Sequence, residues 1–330
     1  MLCAVPALRA LRHAYPDSHI SLVGLPWAAD FATRFSGYLD DFIAFPGFPG
    51  LPEIEPDIAA LPGFFARMQA GEFDLALQLH GSGSYVNSIV AMFGARRNGG
   101  FFVPGEWCPD PRTFMAWPDT LAEPLRYLAL LEFLGLAARD ATLEFPLSPA
   151  DERGVRRRGL TPTRPYVVMH PGAQLASRRW PLQNFAALAS FIADCGYDII
   201  ITGTEAEADL TAALASASVV RVLDLGGQTS LGELAVLLRH ARLLVANDTG
   251  LSHLAAALRV PSVIACFASD SKRWAPLDRE RHRIVDGARM HCRPCSYRSC
   301  PIGQPCAASV TLDAMREAVA GQLAAEYATS

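Results

Sequence analysis

Lysine is nearly absent from this chain of 330 residues, since Lys272 is the only lysine among its 29 basic side chains. A phosphate-binding loop of the G-x-x-x-x-G-K type places its lysine after a glycine, whereas Lys272 follows Ser271. A Schiff-base lysine would have to be the same residue, which stands beside Arg273 with no cofactor signature nearby. The dinucleotide fingerprint G-x-G-x-x-G is also missing. These absences argue against an ATPase and against an enzyme that uses a nicotinamide cofactor.

Long apolar runs and a signal peptide are also missing. No stretch reaches eighteen apolar residues without a charge, and the N-terminus lacks a charged segment followed by an apolar core. We therefore predict a cytoplasmic protein without a membrane span. The net charge of −4 gives no reason to expect nucleic acid as a partner.

Strands and helices alternate along the chain. In the first half we predict a helix over 7–14, strands over 19–25, 41–45 and 73–79, and a long helix over 121–136. A charged, proline-rich passage over 148–165 marks a domain boundary. The predicted domains are therefore 1–150 and 151–330.

The second half alternates more clearly. We predict strands over 166–170, 198–202, 219–223, 243–247 and 262–267, and helices over 182–194, 205–215, 231–240, 251–258 and 310–325. This alternation predicts an α/β fold in which helices cover both faces of a parallel sheet. Residues 1–150 carry 9 basic and 16 acidic side chains, whereas residues 151–330 carry 20 basic and 17 acidic ones. An anionic ligand is therefore more naturally placed on the second domain.

The segment Asn247-Asp-Thr-Gly-Leu-Ser-His253 follows a predicted strand and opens a helix. Gly250 lets a ligand approach the backbone, and the free amides of the first helical turn attract an anion. Thr249 adds a hydroxyl, and His253 lies on the same helix face four residues later. This combination suits a diphosphate. The alternative is that Asp248 or Thr249 only caps the helix.

Three further strand ends carry glycine and polar residues. The first reads His-Pro-Gly172-Ala, followed by Ser-Arg178-Arg-Trp-Pro, where the arginine pair would bind phosphate or simply face solvent. The second reads Thr-Gly-Thr-Glu205-Ala-Glu207, where an acid would bind ribose hydroxyls or complement the helix dipole. The third contains Gly226-Gly227, which permit close approach or form an ordinary turn.

Together with Arg273-Trp-Ala-Pro276, these motifs resemble glycosyltransferase family 9, the heptosyltransferase family of Gram-negative lipopolysaccharide biosynthesis. The resemblance is close over about 166–286 and weaker before it. It implies a GT-B fold of two Rossmann-like doubly wound domains that face a cleft. It also implies an N-terminal domain for the lipopolysaccharide core acceptor, a C-terminal domain for an ADP-sugar such as ADP-heptose, and transfer with inversion that needs no cofactor or metal.

The resemblance also assigns roles. Arg178 stands where the family usually has a lysine that neutralises the leaving phosphate, and with Asp248 it forms the predicted catalytic pair. The diphosphate is expected on the backbone of Thr249 and Gly250. The ribose is expected on Glu207, with Glu205 as the alternative. The predicted donor site comprises Gly172, Ser177, Arg178, Glu207, Gly227, Asp248, Thr249, Gly250 and His253.

The family's usual base is an aspartate in a Gly-Asp pair after the first strand. The matching segment here starts at Met1, which implies that this strand is missing and that the base lies upstream. The alternative is a catalytically silent nucleotide-sugar-binding protein; a nucleotide-sugar epimerase would need the absent dinucleotide fingerprint. On the acceptor side we predict His80, and an arginine patch at the inner membrane face formed by Arg9, Arg12, Arg96 and Arg97.

Four of the eight cysteines fall within fifteen residues, as Cys292-x2-Cys295-x4-Cys300-x5-Cys306. Thiols at this spacing would hold structural zinc or iron tetrahedrally, with His291 as a substitute ligand. The alternative is four free thiols. Disulfides are not expected in the cytoplasm.

Overall fold

Residues 1–160 and 162–327 are described by the computed structural model, in which the chain divides into two units, Cys3–Thr142 and Leu143–Ser330. The division falls just before the passage over 148–165 that we predicted as the boundary. That passage contains a helix of the second unit, because Ser148 and Asp151 form a reciprocal capping box at its start.

The first unit contains helices and parallel strands in alternation. Its helices are α1 (Val5–Ala14), α2 (Ala29–Arg34), α3 (Leu61–Ala70), α4 (Val86–Ala91) and α5 (Glu123–Phe133). Its strands are β1 (Ser21–Gly24), β2 (Asp41–Ala44), β3 (Leu75–Leu77), β4 (Arg97–Phe102) and β5 (Phe114–Ala116). Strand β1 pairs with β2, and β3, β4 and β5 pair in that order. Helix α1 packs on α5 through small and apolar side chains that include Ala7, Ala10, Leu128 and Leu131.

The second unit is built on a parallel sheet in the order β11-β10-β9-β6-β7-β8. The strands are β6 (Tyr166–His170), β7 (Asp198–Ile201), β8 (Leu223–Asp224), β9 (Leu243–Asn247), β10 (Ser262–Cys266) and β11 (His282–Asp286). The helices are α6 (Pro149–Arg157), α7 (Leu182–Asp194), α8 (Ala208–Ala217), α9 (Leu231–Arg239), α10 (Gly250–Ala257), α11 (Ser271–Trp274), α12 (Pro305–Ala308) and α13 (Leu312–Ala324).

Every residue of the central strands β6, β9 and β10 is buried. Such strands read as continuous apolar runs because helices cover both faces of the sheet. The core beneath them includes Trp180, Phe185 and Met315, so α7 and α13 contribute to it. In the part of the chain that the model describes, no helix combines the length and the apolar character needed to cross a bilayer.

The sequence predicted β6, β9 and α7 with their observed bounds, and it misplaced β8. The predicted strand over 219–223 is wrong because only Leu223 and Asp224 pair with β7, while Val219 is 89% exposed. The strands β4, β5 and β11 were not predicted. Two glycines interrupt the apolar pattern of β4, and they fit there because the backbone of Thr113 lies close to Gly99.

Candidate functional site

The order of the second sheet reverses beside β6, which pairs with β7 on one side and with β9 on the other. In an open α/β sheet, ligands bind beyond the carboxyl ends of the strands at such a reversal. The predicted donor residues follow β6, β7, β8 and β9 and therefore lie at this one edge of the sheet.

Asn247, the last residue of β9, fixes the loop that follows β6. Its Nδ2 donates to the carbonyls of Pro171 and Gly172 at 2.8 and 3.3 Å, and its Oδ1 accepts from the amide of Trp180 at 2.9 Å. The side chain is fully buried, so these bonds form in a medium of low dielectric constant. Asn247 thereby sets where the loop runs between residues 171 and 180.

Arg178 and Asp248 come together in a narrow crevice at the ends of β6, β9 and β10. The crevice is lined by Arg178, Asp248, Ala265, Phe267, Ala268 and Ser269. Arg178 ends a short 3-10 turn (Ala176–Arg178) and donates from Nη2 to the carbonyl of Cys295 at 2.9 Å. Its Nε is buried and has no hydrogen-bond partner among the described residues. The predicted catalytic pair is therefore brought together.

The carboxyl of Asp248 is held by two side chains of the β10 end. Ser269 Oγ donates to Oδ2, and the Cys266 thiol lies 3.7 Å from the same oxygen. Burial raises the pKa of Asp248 above its usual value, although these contacts and the positive charge of Arg178 oppose the rise. Burial and the neighbouring Asp248 also raise the pKa of the Cys266 thiol to about 12, so this cysteine stays protonated.

Helix α10 opens beside the crevice at Thr249. The hydroxyl of Thr249 accepts from the amide of Leu251 at 3.4 Å, as expected for a capping residue. Gly250 is exposed, and a Cβ there would meet no atom of the described residues within 4 Å apart from its chain neighbours and the backbone of its own helix. His253 is buried, with its ring centroid 6.4 Å from that of Trp274 in an edge-to-face arrangement. The exposed backbone at Gly250 is thus accessible to a ligand.

Glu207, predicted to bind ribose, is buried and closes a capping box. Its Oε2 accepts from the amide and the hydroxyl of Thr204, each at 2.9 Å, and lies 3.9 Å from Nε2 of His170. A Cβ on Gly172 would lie 2.7 Å from Oε2 of Glu207. The alternative to a ribose contact, an acid that serves the start of the helix, is therefore observed for Glu207. Glu205 is exposed. Gly227 has a φ of +69°, which favours glycine, and its amide donates to the carbonyl of Gly203.

Ser177 does not line the crevice. It is buried, its hydroxyl donates to the carbonyl of Tyr297, and its amide donates to the carbonyl of Arg298 at 3.2 Å. Ser177 thus contacts the cysteine-bearing loop, residues 292–306, and its contact with the donor stays a prediction.

The predicted arginine patch is not a set of free cations. Arg9 binds Asp140 at 2.9 Å and two backbone carbonyls, and only 13% of its side chain is exposed. Arg12 pairs with Asp40 and donates to the carbonyl of Ser18 at 2.7 Å. Both side chains thus hold the first unit together. Arg96 is exposed and pairs with Asp74, and Arg97 is exposed as well. His80 is also exposed, 3.0 Å from Glu53.

The predicted metal site is not formed. Among residues 1–160 and 162–327, no group of three or more His, Cys, Asp or Glu side chains is arranged to hold a metal ion. Cys295 and Cys306 are instead buried in the apolar core, and all four cysteines are free thiols. Burial in that core accounts for two of the four thiols without a ligand role.

A family model described as glycosyltransferase family 9 (heptosyltransferase) matches residues 65–305. This match covers most of both units and includes every donor-site residue named above. The chain belongs to glycosyltransferase family 9. The resemblance seen in the sequence motifs is thereby confirmed.

Among curated relatives, lipooligosaccharide heptosyltransferase 2 of Haemophilus ducreyi is 31% identical over 316 residues, which cover 86% of this chain and 85% of the relative. Lipopolysaccharide heptosyltransferase 2 of Escherichia coli is 31% identical over 131 residues, and that alignment spans only 37% of the relative's length. The solved structure of E. coli ADP-heptose lps heptosyltransferase II is 19% identical, covers 98% of this chain and 95% of that chain, and has a TM-score of 0.71. This likeness confirms the α/β fold with parallel sheets.

Three residues of the site escaped the sequence reasoning. Asn247 stood inside the motif but was counted only as the end of a strand. Ser269 and Arg293, which contacts Ser269, lie 21 and 45 residues beyond Asp248 in the printed sequence, and only the sheet brings them close to it. A signal did exist for Ser269, because β10 neighbours β9 and its end must meet the same edge.

Proposed function

We propose that this chain transfers a heptose from an ADP-linked donor to a lipopolysaccharide core acceptor, with inversion at the anomeric carbon. Family membership supports glycosyl transfer, and the names of the relatives support heptose and lipopolysaccharide. The ADP donor is supported by the shared fold of the E. coli ADP-heptose lps heptosyltransferase II and by the anion-binding features at the carboxyl edge of the second sheet.

The main support for this proposal is the Nε of Arg178, which is buried and has no hydrogen-bond acceptor among the described residues. A buried donor without an acceptor costs about 1–3 kcal/mol, so such groups usually have a partner. Here the guanidinium lines the crevice beside Asp248, close to the start of α10. The crevice has no room for a water molecule in this structure, so a phosphate oxygen that accepts this bond must widen it. The planar guanidinium suits phosphate.

The proposed reaction requires the second unit to stabilise the negative charge of a leaving diphosphate. The bond between the anomeric carbon and the phosphate oxygen breaks, and ADP leaves with that electron pair. The acceptor hydroxyl forms the new bond on the opposite face of the sugar and gives its proton to a base. Arg178 and the free amides at the start of α10 would offset the charge that develops on the leaving oxygen. Asp248 would hold the lining of the crevice in place and would not contact the diphosphate, because two anions repel.

The acceptor is assigned to the first unit. His80, with Glu53 at 3.0 Å, is the candidate contact for an acceptor hydroxyl, since a neighbouring carboxylate orients an imidazole. A lipid-linked core would place the reaction at the cytoplasmic face of the inner membrane. Arg96 and Arg97 are the remaining exposed arginines of the predicted patch.

The experiment measures ADP binding by calorimetry and heptose transfer from ADP-heptose to a heptose-deficient core acceptor. We expect Arg178→Ala to weaken ADP binding about 10-fold or more, since a hydrogen bond to a charged group contributes roughly 1.5–3 kcal/mol. Asp248→Ala and His253→Ala should weaken ADP binding indirectly, because Asp248 lines the crevice and His253 packs in α10 beside it. Arg179→Ala is the matched control, because Arg179 is the adjacent arginine and donates to the carbonyl of Ala173 outside the crevice.

Unchanged ADP affinity in the three crevice variants would remove the site assignment. A wild-type chain that binds ADP and transfers nothing would instead favour the silent nucleotide-sugar-binding protein. Transfer that gives the same anomeric configuration as the donor would refute inversion. These results separate the site, the activity and the stereochemistry.

A further inference from the structure

The cysteine-bearing loop, residues 292–306, is bonded to one side of the donor crevice. Arg178 donates from Nη2 to the carbonyl of Cys295 at 2.9 Å, and the amide of Ser177 donates to the carbonyl of Arg298. Gln304 adds a bond from Nε2 to the carbonyl of Ala176 at 2.9 Å. The whole 3-10 turn that carries Arg178 is therefore tied to the loop.

The same loop is bonded to the opposite side of the crevice. The amide of Cys295 donates to the carbonyl of Ala268 at 2.6 Å, and Arg293 donates from Nε to the carbonyl of Ser269 at 2.7 Å. Ala268 and Ser269 both line the crevice. One loop thus bridges the arginine side and the aspartate side.

Arg293 is the most heavily bonded side chain of this bridge. Besides Ser269, it donates from Nη1 to the carbonyl of Gly287 at 2.9 Å and from Nη2 to the Cys266 sulfur at 3.5 Å, and it pairs with Asp286. Only 9% of its side chain is exposed, and it is not part of the crevice lining. Its influence on a ligand must therefore pass through its partners.

Two of the four partners of Arg293, Ser269 and Cys266, are the residues that hold Asp248. Ser269 Oγ donates to the Asp248 carboxylate, and the Cys266 thiol lies beside the same oxygen. A neutral side chain at position 293 would leave the carbonyls of Ser269 and Gly287 without these donors. A lysine would keep the charge and reach fewer of the acceptors, because its ammonium lacks the fork of a guanidinium.

We propose that Arg293 is a positioning residue of the donor site, which fixes Asp248 through Ser269 and Cys266 while the loop that carries it fixes Arg178. The inference rests on the proposed function, because it assumes that the crevice receives the diphosphate. It assigns the cysteine-bearing loop a role in donor binding that requires no metal.

The test compares Arg293→Gln and Arg293→Lys in the full chain. Calorimetry gives the ADP dissociation constant, and thermal unfolding gives Tm. We expect Arg293→Gln to weaken ADP binding by about 10-fold, the effect of losing roughly one charged hydrogen bond, and Arg293→Lys to recover part of it. In the transfer assay, KM should rise for the ADP-sugar and stay constant for the acceptor.

Arg242→Gln is the matched control. Arg242 is also half-buried and donates from Nη2 to two carbonyls, those of Leu323 and Ala325, at 2.7 and 2.6 Å. It is not one of the residues that line the crevice. We expect Arg242→Gln to lower Tm while the ADP dissociation constant stays within twofold of the wild-type value.

A folded Arg293→Gln variant that binds ADP within twofold of the wild type would overturn the inference. If that variant does not fold, Arg293→Lys decides by the same criterion. Equal losses of ADP affinity in Arg293→Gln and Arg242→Gln would also overturn it, because the loss would then reflect stability alone. A wild-type chain that binds no ADP would instead refute the proposed function, and this inference with it.

Discussion

Replacing Gly172 with alanine tests how the loop after β6 fits against the loop after β7. A Cβ at this position would lie 2.7 Å from Oε2 of Glu207 and closer still to its Oε1. The φ of Gly172 does not fall in the left-handed region, so the backbone itself accepts alanine. The clash with the carboxylate therefore determines the effect.

The cost follows from the bonds that Glu207 must give up. Its carboxylate accepts from the amide and the hydroxyl of Thr204, each at 2.9 Å, and the side chain is only 8% exposed. Losing these charged hydrogen bonds lowers the free energy of unfolding. Alanine offsets a small part of this loss, because it makes the unfolded chain less flexible than glycine does. The net loss is about 2–4 kcal/mol. We expect Gly172→Ala to fall in that range.

A double-mutant cycle separates the clash from the lost cap. Glu207→Ala alone removes the same bonds, and Gly172→Ala/Glu207→Ala has no carboxylate to displace. The double variant should therefore match Glu207→Ala to within about 0.5 kcal/mol, which gives a large coupling energy. The assay is urea unfolding, in which unchanged m-values indicate that the unfolding transition itself is the same.

The control for the added methyl group is Gly321→Ala in α13, where the new Cβ would meet no atom of the described residues within 4 Å outside its own stretch of helix. Alanine should stabilise this helix by up to about 1 kcal/mol. The reasoning is refuted if Gly172→Ala unfolds within 0.5 kcal/mol of the wild type, or if the double variant loses the sum of the two single losses.

Two other buried polar side chains of the second unit give further predictions. Asn247→Asp replaces the donor to the Pro171 carbonyl with an anion in a fully buried site, and should cost about 3 kcal/mol in urea unfolding; a cost under 1 kcal/mol would contradict the role given to Asn247. Burial lowers the pKa of His282 to about 4. Between about pH 6.5 and pH 4 this histidine is therefore protonated in the unfolded chain and neutral in the folded one. Acidification over that window should lower the free energy of unfolding by up to about 3 kcal/mol. His282→Asn should remove this part of the pH dependence and the exposed His240, changed to Asn, should not; equal pH profiles of the two variants would refute the assignment.

The sequence predicted the central strands because burial on both faces makes each one an apolar run that ends in turn residues. The bounds of β6 and β9 match the prediction for that reason. Strand β8 lies at the edge of the sheet, where only two residues pair, so the valines over 219–222 did not predict its position. Local pattern predicts a strand best where packing repeats on both faces.

The sequence predicted those residues of the candidate site that directly follow strands. Asp248, Thr249 and Gly250 are adjacent in sequence, so their shared position at the start of α10 follows from local structure. The bond between Ser177 and Tyr297 joins residues 120 positions apart. No local pattern predicts such a contact, so the bond between Ser177 and the loop could not be inferred from the sequence.

Position 178 is occupied by arginine and not by lysine, and this choice determines how many acceptors the side chain can bind. The lysine that the family resemblance leads us to expect here would present one ammonium, a compact charge whose donors all lie on a single nitrogen. Arg178 uses Nη2 to hold the Cys295 carbonyl and keeps a second nitrogen, the buried Nε, unbonded within the described residues. A guanidinium can therefore bind the cysteine-bearing loop and a phosphate oxygen at the same time. A lysine placed there would have to divide one nitrogen between the two tasks. In the proposed donor site, Arg178 therefore couples the loop to the ligand through a single side chain.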